Sequence, residues 1–354
     1  MTFQDLGYTD KFEQYRKEHE LDAFAIGRVI LEHKDRYVVK TPTQEFDAEL
    51  IGNLRFTAES RYDLPAVGDW VAYKEYDQDK ALIHAVLPRQ SCIERKAVGK
   101  SGQVQLIATN IDFGLIVQAV DRDFNLNRLE RYLTICNASG VQPIIVLSKI
   151  DLISAADVDI IIKQIKERIQ GVPIVKVSSE SVGYKQLAAI MEKGKTYCLL
   201  GSSGVGKSTL INGLLGKEVM ETAAISDAVN KGKHTTSHRE LIVLENGGII
   251  IDNPGMRELG ITDAAAGLEI TFETILEYAK HCKFKDCTHV HEKGCAILAA
   301  VANGQINARA YANFRKMEKE KMHFEADAKE RKQKDKDFGK MVKKIKQQRK
   351  NNKY

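Results

Sequence analysis

The sequence predicts a multidomain chain of three folded units: an all-β, OB-like barrel, a central α/β domain built on a mostly parallel sheet, and a helical C-terminal unit that binds a metal. Three observations carry this expectation. Short β-type runs crowd between residues 23 and 95, long apolar strands alternate with amphipathic helices from about Ile107, and after about Thr262 the chain turns helical and enters a cluster of cysteines and histidines. At 354 residues the chain is long enough for each unit to bury its own core.

The barrel rests on the runs "AFAIGRVI", "YVVKT", "DWVAYKEY" and "ALIHAVL", separated by polar or glycine-containing turns such as "AVGD". About five short strands in some seventy residues fit a small closed barrel. In the α/β part, "FGLIVQAV" reads as a strand, and the helix after it sets Leu126, Leu129, Leu133 and Cys136 on one stripe at spacings of three and four. "PIIVLSK", "PIVKVSS" and "TYCLLGS" are further strands, with "DVDIIIKQIKERI" a helix between the first two. Such alternation marks a parallel sheet covered on both faces. "RELIVLENGGIIIDNPG" reads as two strands turned through Asn246-Gly247, a pair suited to positive φ, which adds one antiparallel edge pair. The expected organisation is an N-terminal extension (1–22), the barrel (23–98), the α/β domain (99–262), the helical metal-binding unit (263–328) and a basic tail (329–354), with no internal repeats.

Four loops of the α/β part carry chemistry. Gly201, Ser202, Ser203, Gly204, Val205, Gly206, Lys207 and Ser208 satisfy G-x-x-x-x-G-K-[ST] between an apolar strand and a helix beginning near Lys207, with Thr209 following. Glycines there let backbone N–H groups converge on phosphates at a helix N-terminus; Lys207 would bridge the β- and γ-phosphates and Ser208 would ligate Mg²⁺. "SKID", Ser148, Lys149, Ile150 and Asp151, ends another apolar strand. Its Asp151 carboxylate can accept from guanine N1–H and N2–H₂, which adenine does not present, while the Lys149 stem covers the base and Ser178 and Ser179 offer N–H groups to the guanine carbonyl. "IIIDNPGM" places Asp252 to hold Mg²⁺ through water and the Gly255 N–H at the γ-phosphate. "GKHTTSHRE" supplies a mobile loop whose Thr236, with Thr235 close behind, would close on Mg²⁺.

These are the parts of a GTPase in rotated order, since the base loop precedes the phosphate loop. A circular permutation preserves every contact of the sheet when the original termini lie close together. It also makes the second switch lead directly into the C-terminal unit. The residue after Gly255 is Met256, whose thioether cannot orient water, so His234 beside the switch threonine is the expected substitute. The competing readings are an RNA-binding assembly factor in which GTP is only a conformational switch, favoured by Met256, and a small-molecule P-loop kinase, disfavoured by Asp151 and Thr236.

In "HCKFKDCTHVHEKGC" the spacing of Cys282, Cys287, His289 and Cys295 offers three thiolates and an imidazole for one structural Zn²⁺, with His281 and His291 as rival imidazoles. Cys92, Cys136 and Cys198 read as buried residues in apolar surroundings. Six cysteines are too few for a disulfide scaffold, and no apolar run approaches membrane-spanning length, so a cytoplasmic chain with no membrane partner is expected. The net charge of +5 is uneven: residues 329–354 carry +9, leaving −4 for the rest, which suits an arm that seeks RNA phosphates.

Together with "VGDWV", "NRLERYL", "GSSGVGKSTLIN", "GKHTTSHREL", "IIDNPGMREL" and "CKFKDCTHVHEKGCAI", the chain resembles the circularly permuted, ribosome small subunit-dependent GTPases called RsgA or YjeQ, from about Gly27 to Ala300. The resemblance implies an OB barrel, a permuted GTPase domain and a zinc-binding helical domain acting in late maturation of the small ribosomal subunit. It implies GTP/GDP and Mg²⁺ as ligands, guanine contacts at Ser148 to Asp151, phosphate and Mg²⁺ contacts at Gly201 to Thr209, and zinc on Cys282, Cys287, His289 and Cys295. It also implies the small subunit and its ribosomal RNA as partners of a monomer, with hydrolysis stimulated by the subunit. Family members often carry Asn where this chain has Ser148, so weaker bracing of the base loop is expected.

Overall fold

The computed structural model describes residues 1–33, 36–96, 104–121, 124–178, 183–216, 239–252 and 265–323. Five strands form the barrel: β1 (Ala25–His33), β2 (Arg36–Lys40), β3 (Glu45–Leu50), β4 (Trp70–Asp77) and β5 (Lys80–Val86). They pair in the order β1-β2-β3-β5-β4, and β4 pairs back on β1, which closes the sheet and removes its edges. β3 lies parallel to β5 and every other barrel pairing is antiparallel. β3 was not among the runs expected from the sequence, although its side chains alternate cleanly between solvent and core.

Helix α1 (Asp10–Glu18) covers one end of the barrel, where Phe3, Tyr8 and Phe12 gather around the fully buried Trp70. A short helix α2 (Gly52–Thr57) links β3 to β4. Arg28 on β1 is also fully buried, and its guanidinium donates to three carbonyl oxygens: Leu6 (2.6 Å), Gly68 (3.1 Å) and Asn110 (3.0 Å). Burial pushes this group down to about 10, opposed by the Asp112 and Asp69 carboxylates. Beyond the barrel, β6 (Cys92–Lys96) and β7 (Val104–Thr109) form a separate antiparallel pair, an element the alternation of strands and helices does not signal.

The α/β domain contains β8 (Phe113–Ala119), α3 (Leu126–Ala138), β9 (Gln142–Ser148), α4 (Ala155–Arg168), β10 (Ile174–Lys176), α5 (Tyr184–Ile190), β11 (Thr196–Leu200), α6 (Lys207–Leu215), β12 (Glu240–Val243) and β13 (Ile249–Asp252). The strands lie in the order β10-β9-β8-β11-β13-β12, all parallel except β12. β12 and β13 form the expected hairpin through Gly247, whose φ is 84°. The Leu129, Leu133 and Cys136 stripe of α3 is buried with Leu126 packed alongside, as the spacing predicts.

β11 occupies the middle of this sheet although it comes fourth in the chain. If the strands are counted from β11 and the count returns to β8 after β13, the chain leaves β11 toward one side of the sheet and then fills the other. The carboxyl end of β11 is then a topological switch point, the place where open α/β sheets bind ligands. A single pair, Leu31 with Glu240, joins β12 to β1, so barrel and α/β domain share one continuous sheet.

The C-terminal unit consists of α7 (Ala265–Thr271), α8 (Glu273–Ala279), α9 (Ala296–Ala302) and a helix α10 spanning 308–323. Phe272, Ile275, Ile297, Phe314 and Met317 form its core. Of the cysteines read as buried, Cys136 and Cys198 are, whereas Cys92 is half-buried, because its thiol reaches the Glu94 carboxylate at 3.3 Å on the polar side of β6. No helix among the described residues is long and apolar enough to cross a membrane.

Candidate functional site

β11 ends in five consecutive buried residues, Thr196–Leu200, and the chain then turns sharply at Gly201. Gly201 has φ 155°, and a Cβ there would sit 2.5 Å from the Val117 carbonyl oxygen of β8, so only glycine fits. Gly204 (φ 81°) and Gly206 (φ 92°) follow in left-handed conformations with nothing within 4 Å of where a Cβ would be. The loop is thus a concave run of backbone opening on the N-terminus of α6, the arrangement that receives phosphate oxygens. The residues fit the group they are expected to hold.

Inside this loop the Lys207 ammonium donates to the carbonyl oxygens of Gly201 (2.8 Å) and Ser202 (2.7 Å). Burial pushes it down to about 8, partly opposed by the Asp252 carboxylate at the end of β13. Phosphate anions favour the charged form, so nucleotide binding returns Lys207 to full protonation. At pH 8 GDP binding is therefore expected to take up about half a proton, and almost none at pH 6.5. Calorimetry at pH 8 in two buffers of different ionisation enthalpy measures this directly. Equal heats would mean that Lys207 is already fully charged in the free protein.

The base loop lies beside the phosphate loop. Ser148 ends β9, is buried, and donates its hydroxyl to the Val205 carbonyl oxygen at 2.6 Å. The shorter side chain still reaches across to the phosphate loop, through a single hydrogen bond, because β9 and that loop approach closely enough for a hydroxyl to span the gap. Lys149 adopts φ 58° and ψ 34°, and its ammonium pairs with Asp121 at 3.0 Å. A short turn, Ile150–Leu152, then presents the exposed Asp151. Ser178 lies just past β10, 4% exposed, and its hydroxyl has no hydrogen-bond partner among the described residues.

Sequence reasoning missed Tyr132 of α3. Burial raises its hydroxyl above the ordinary tyrosine value, opposed by a hydrogen bond with Ser202 of the phosphate loop. Only the Tyr in "NRLERYL" hinted at it, and one-dimensional spacing does not reveal which loop a helix faces. Ser203, Ser208 and Thr209 are half-buried at the loop and the first turn of α6. Ser179, His234, Thr235, Thr236, Gly255 and Met256 lie outside the described residues.

A second cluster sits between α8 and α9. The thiols of Cys282 and Cys295 are 3.9 Å apart, and each lies 3.5 Å from His289 Nδ1. With Cys287 included, all four ligand atoms fall within 4.8 Å of one another. A tetrahedral zinc with bonds of about 2.3 Å to sulfur and 2.0 Å to nitrogen places neighbouring ligands about 3.5–3.8 Å apart, so the donor set fits. The backbone N–H groups of Ala296 and Leu298 donate to the Cys282 and Cys295 sulfurs at 3.3 and 3.5 Å, which favours thiolate. His289, held at φ 58°, belongs to the cluster; His281 and His291 do not.

The family model described as RsgA GTPase matches residues 86–262. Small ribosomal subunit biogenesis GTPase RsgA of Opitutus terrae is 41% identical over 335 residues, covering 91% of this chain and 90% of its own length. The chain belongs to the RsgA GTPase family. Its counterpart RsgA 2 from Listeria monocytogenes is 44% identical over 323 residues, covering 90% and 89% of the two chains. Among solved structures, YjeQ from Thermotoga maritima matches with TM-score 0.60 at 26% identity, over 82% of this chain and 96% of that one. A second family model, described as 50S ribosome-binding GTPase, matches residues 196–348. That match starts at the first residue of β11 and leaves the base loop upstream, as a permuted order requires. Like other RsgA GTPases, the chain is a GTP-hydrolysing enzyme.

Proposed function

We propose that the protein hydrolyses GTP while bound to the small ribosomal subunit and acts in the biogenesis of that subunit. The observation that carries the nucleotide reading is the Ser148 hydrogen bond to Val205, which fixes a guanine-type base loop against a phosphate loop at the switch point of the sheet. The names of relatives aligned over nine-tenths of the chain support the small subunit, and they outweigh the 50S description of a family model that matches residues 196–348 only.

In this reading Asp151 accepts from guanine N1–H and N2–H₂, Lys149 covers the base, and Ser178 and Ser179 meet the guanine carbonyl. Gly201 to Thr209 hold the phosphates. Ser208, Thr236 and, through water, Asp252 hold Mg²⁺, which neutralises charge on the β- and γ-phosphate oxygens. Lys207 exchanges its two carbonyl acceptors for phosphate oxygens. Gly255 meets the γ-phosphate, and His234 orients the attacking water when the subunit is bound. Cys282, Cys287, His289 and Cys295 hold a structural zinc, the barrel and tail contact ribosomal RNA, and the protein works as a cytoplasmic monomer.

Phosphate release measured with and without isolated small subunits tests the function: stimulation is expected from the small subunit and not from the large one. The base assignment has its own test. Asp151→Asn exchanges an acceptor for a donor, so GTP affinity is expected to fall about tenfold to a hundredfold while xanthosine triphosphate gains. Fluorescent-nucleotide titration of both bases reads the change, and an Asp151→Asn protein that keeps the parent preference would remove Asp151 from the site.

A further inference from the structure

The N-terminal segment does more than cover the barrel. Between it and the barrel end formed by β1, β4 and the turn from β2 to β3 lies a cavity of about 630 Å³. Phe3, Ile26, Phe46 and Tyr73 give it an apolar floor, with the rings of Phe46 and Tyr73 5.2 Å apart. Hydrogen bonds hold its walls. Thr41, buried just past β2, donates its hydroxyl to the Gln44 carbonyl oxygen at 2.9 Å and accepts from the Gln44 N–H at 3.1 Å, which fixes the turn. On α1, Glu13 accepts from the Tyr8 hydroxyl and from Arg16 Nη1, both at 3.0 Å, and Arg16 Nη2 donates to the Phe24 carbonyl oxygen at 3.1 Å. A cavity framed in this way is formed before any ligand arrives.

Four groups on its lining have no use within the described chain. Tyr73 is 2% exposed, yet its hydroxyl makes no hydrogen bond with a described residue. Burial, with the Glu75 carboxylate adding to it, pushes this hydroxyl up to about 12, so it remains a donor at neutral pH. Arg16 Nε is buried and also lacks an acceptor. Buried donors are normally satisfied, so these two mark places for acceptors. The exposed carboxylates of Asp10 and Glu75 form no ion pair among the described residues. Glu13 is already neutralised by Arg16, so these two carboxylates leave the cavity net negative. Such a surplus repels phosphate-bearing ligands and favours a cation. The cation is not a metal ion: among the described residues, only Cys282, Cys287, His289 and Cys295 gather their ligand atoms closely enough.

We propose that the cavity binds an arginine-bearing basic segment of a partner protein. A peptide brings both things that the lining lacks: backbone carbonyls to accept from Tyr73 and Arg16 Nε, and a guanidinium to meet Asp10 and Glu75. Arginine suits the site better than lysine, because five N–H groups in a planar fork serve two separate carboxylates while the aliphatic stem covers Phe3 and Ile26. The site is independent of the nucleotide reading and uses no residue of the α/β domain.

The test is fluorescence anisotropy of the full chain with a labelled peptide of alternating arginine and glycine, beside its lysine counterpart. The arginine peptide is expected to bind more tightly. Glu75→Gln is expected to weaken it about threefold, and Asp10→Asn/Glu75→Gln about tenfold, since both carboxylates are exposed and each pair is partly screened. Tyr73→Phe removes only the unpartnered hydroxyl, so the fold is kept and affinity is expected to fall about threefold. Asp159→Asn, at an exposed carboxylate of α4, is expected to change nothing. An Asp159→Asn loss as large as that of Glu75→Gln would reduce the binding to diffuse charge attraction and overturn the proposal. So would a parent protein that binds neither peptide at about 0.1 mM. A single-stranded oligoribonucleotide whose own binding falls with Tyr73→Phe while the peptide's does not would assign the cavity to a nucleobase instead. Peptide affinity that rises about tenfold on removal of residues 329–354 would make the chain's own tail the occupant, and the partner segment would be withdrawn.

Discussion

Lys207→Ala is expected to leave the fold intact and to lower single-turnover GTP hydrolysis by about a thousandfold. In the free protein the ammonium group sits on the Gly201 and Ser202 carbonyl oxygens and closes the loop around itself. Those contacts satisfy the charge but do nothing for a nucleotide; its value lies in the developing negative charge of the transferring phosphoryl group. Loss of one preorganised donor of this kind costs about 10²- to 10³-fold in rate, and a full positive charge at a buried position belongs at the upper end. The fold should survive because Lys207 is the first residue of α6, where alanine is an excellent helix former. The two carbonyls it leaves behind are only part-buried, so water can take its place. Phosphate release under single-turnover conditions, with near-native circular dichroism as control, decides the matter. A loss smaller than tenfold would show that Lys207 does not contact the reacting phosphate.

The second large effect concerns the cysteine–histidine cluster. Removal of its metal by a chelator, or Cys287→Ala, is expected to unfold the segment around α8 and α9 while the α/β domain keeps its structure. Structural zinc contributes about 10 kcal/mol or more to folding, comparable with the whole stability of a small domain. The core it supports is small, and Cys282, Cys287 and Cys295 are themselves packed into it. Metal analysis should give one zinc per chain for the parent. Hydrogen exchange should then show loss of protection at Ile275, Ile297 and their neighbours on chelation, with Leu115 and Ile145 unaffected. A Cys287→Ala protein with parental thermal stability and zinc content would contradict the assignment.

Much of the architecture was legible in the sequence because the signals were local. Apolar runs of β8, β9 and β11 lie between helices of the right period, and the glycines of residues 201–206 can do little else on a strand-to-helix turn. The hairpin through Asn246-Gly247 and the gathering of Cys282, Cys287, His289 and Cys295, suggested by their spacing, are of the same kind. β3 escaped notice because Glu45, Asp47 and Glu49 are poor strand formers taken singly. It is held by parallel pairing to β5, whose strand comes some thirty residues later. Glu130 was invisible for a different reason. On one turn of an amphipathic helix a glutamate reads as solvent-facing, and nothing nearby announces that Arg168 and Asn313, 38 and 183 residues away, will enclose it. The Ser148 contact also eluded inspection, since whether a short hydroxyl reaches depends on a gap that only the packed sheet defines.

Arg28 has a consequence for anyone who would cut this protein into pieces. Its guanidinium is satisfied by residues 6, 68 and 110, which belong to the N-terminal turn, the barrel and the start of the α/β domain. A fragment excised at 23–98 would retain the Gly68 acceptor and strand the rest of a buried cation, at a cost of several kcal/mol. The smallest barrel that can be expressed alone therefore begins at the N-terminus and continues past Asn110, and shorter barrel fragments would fail through insolubility.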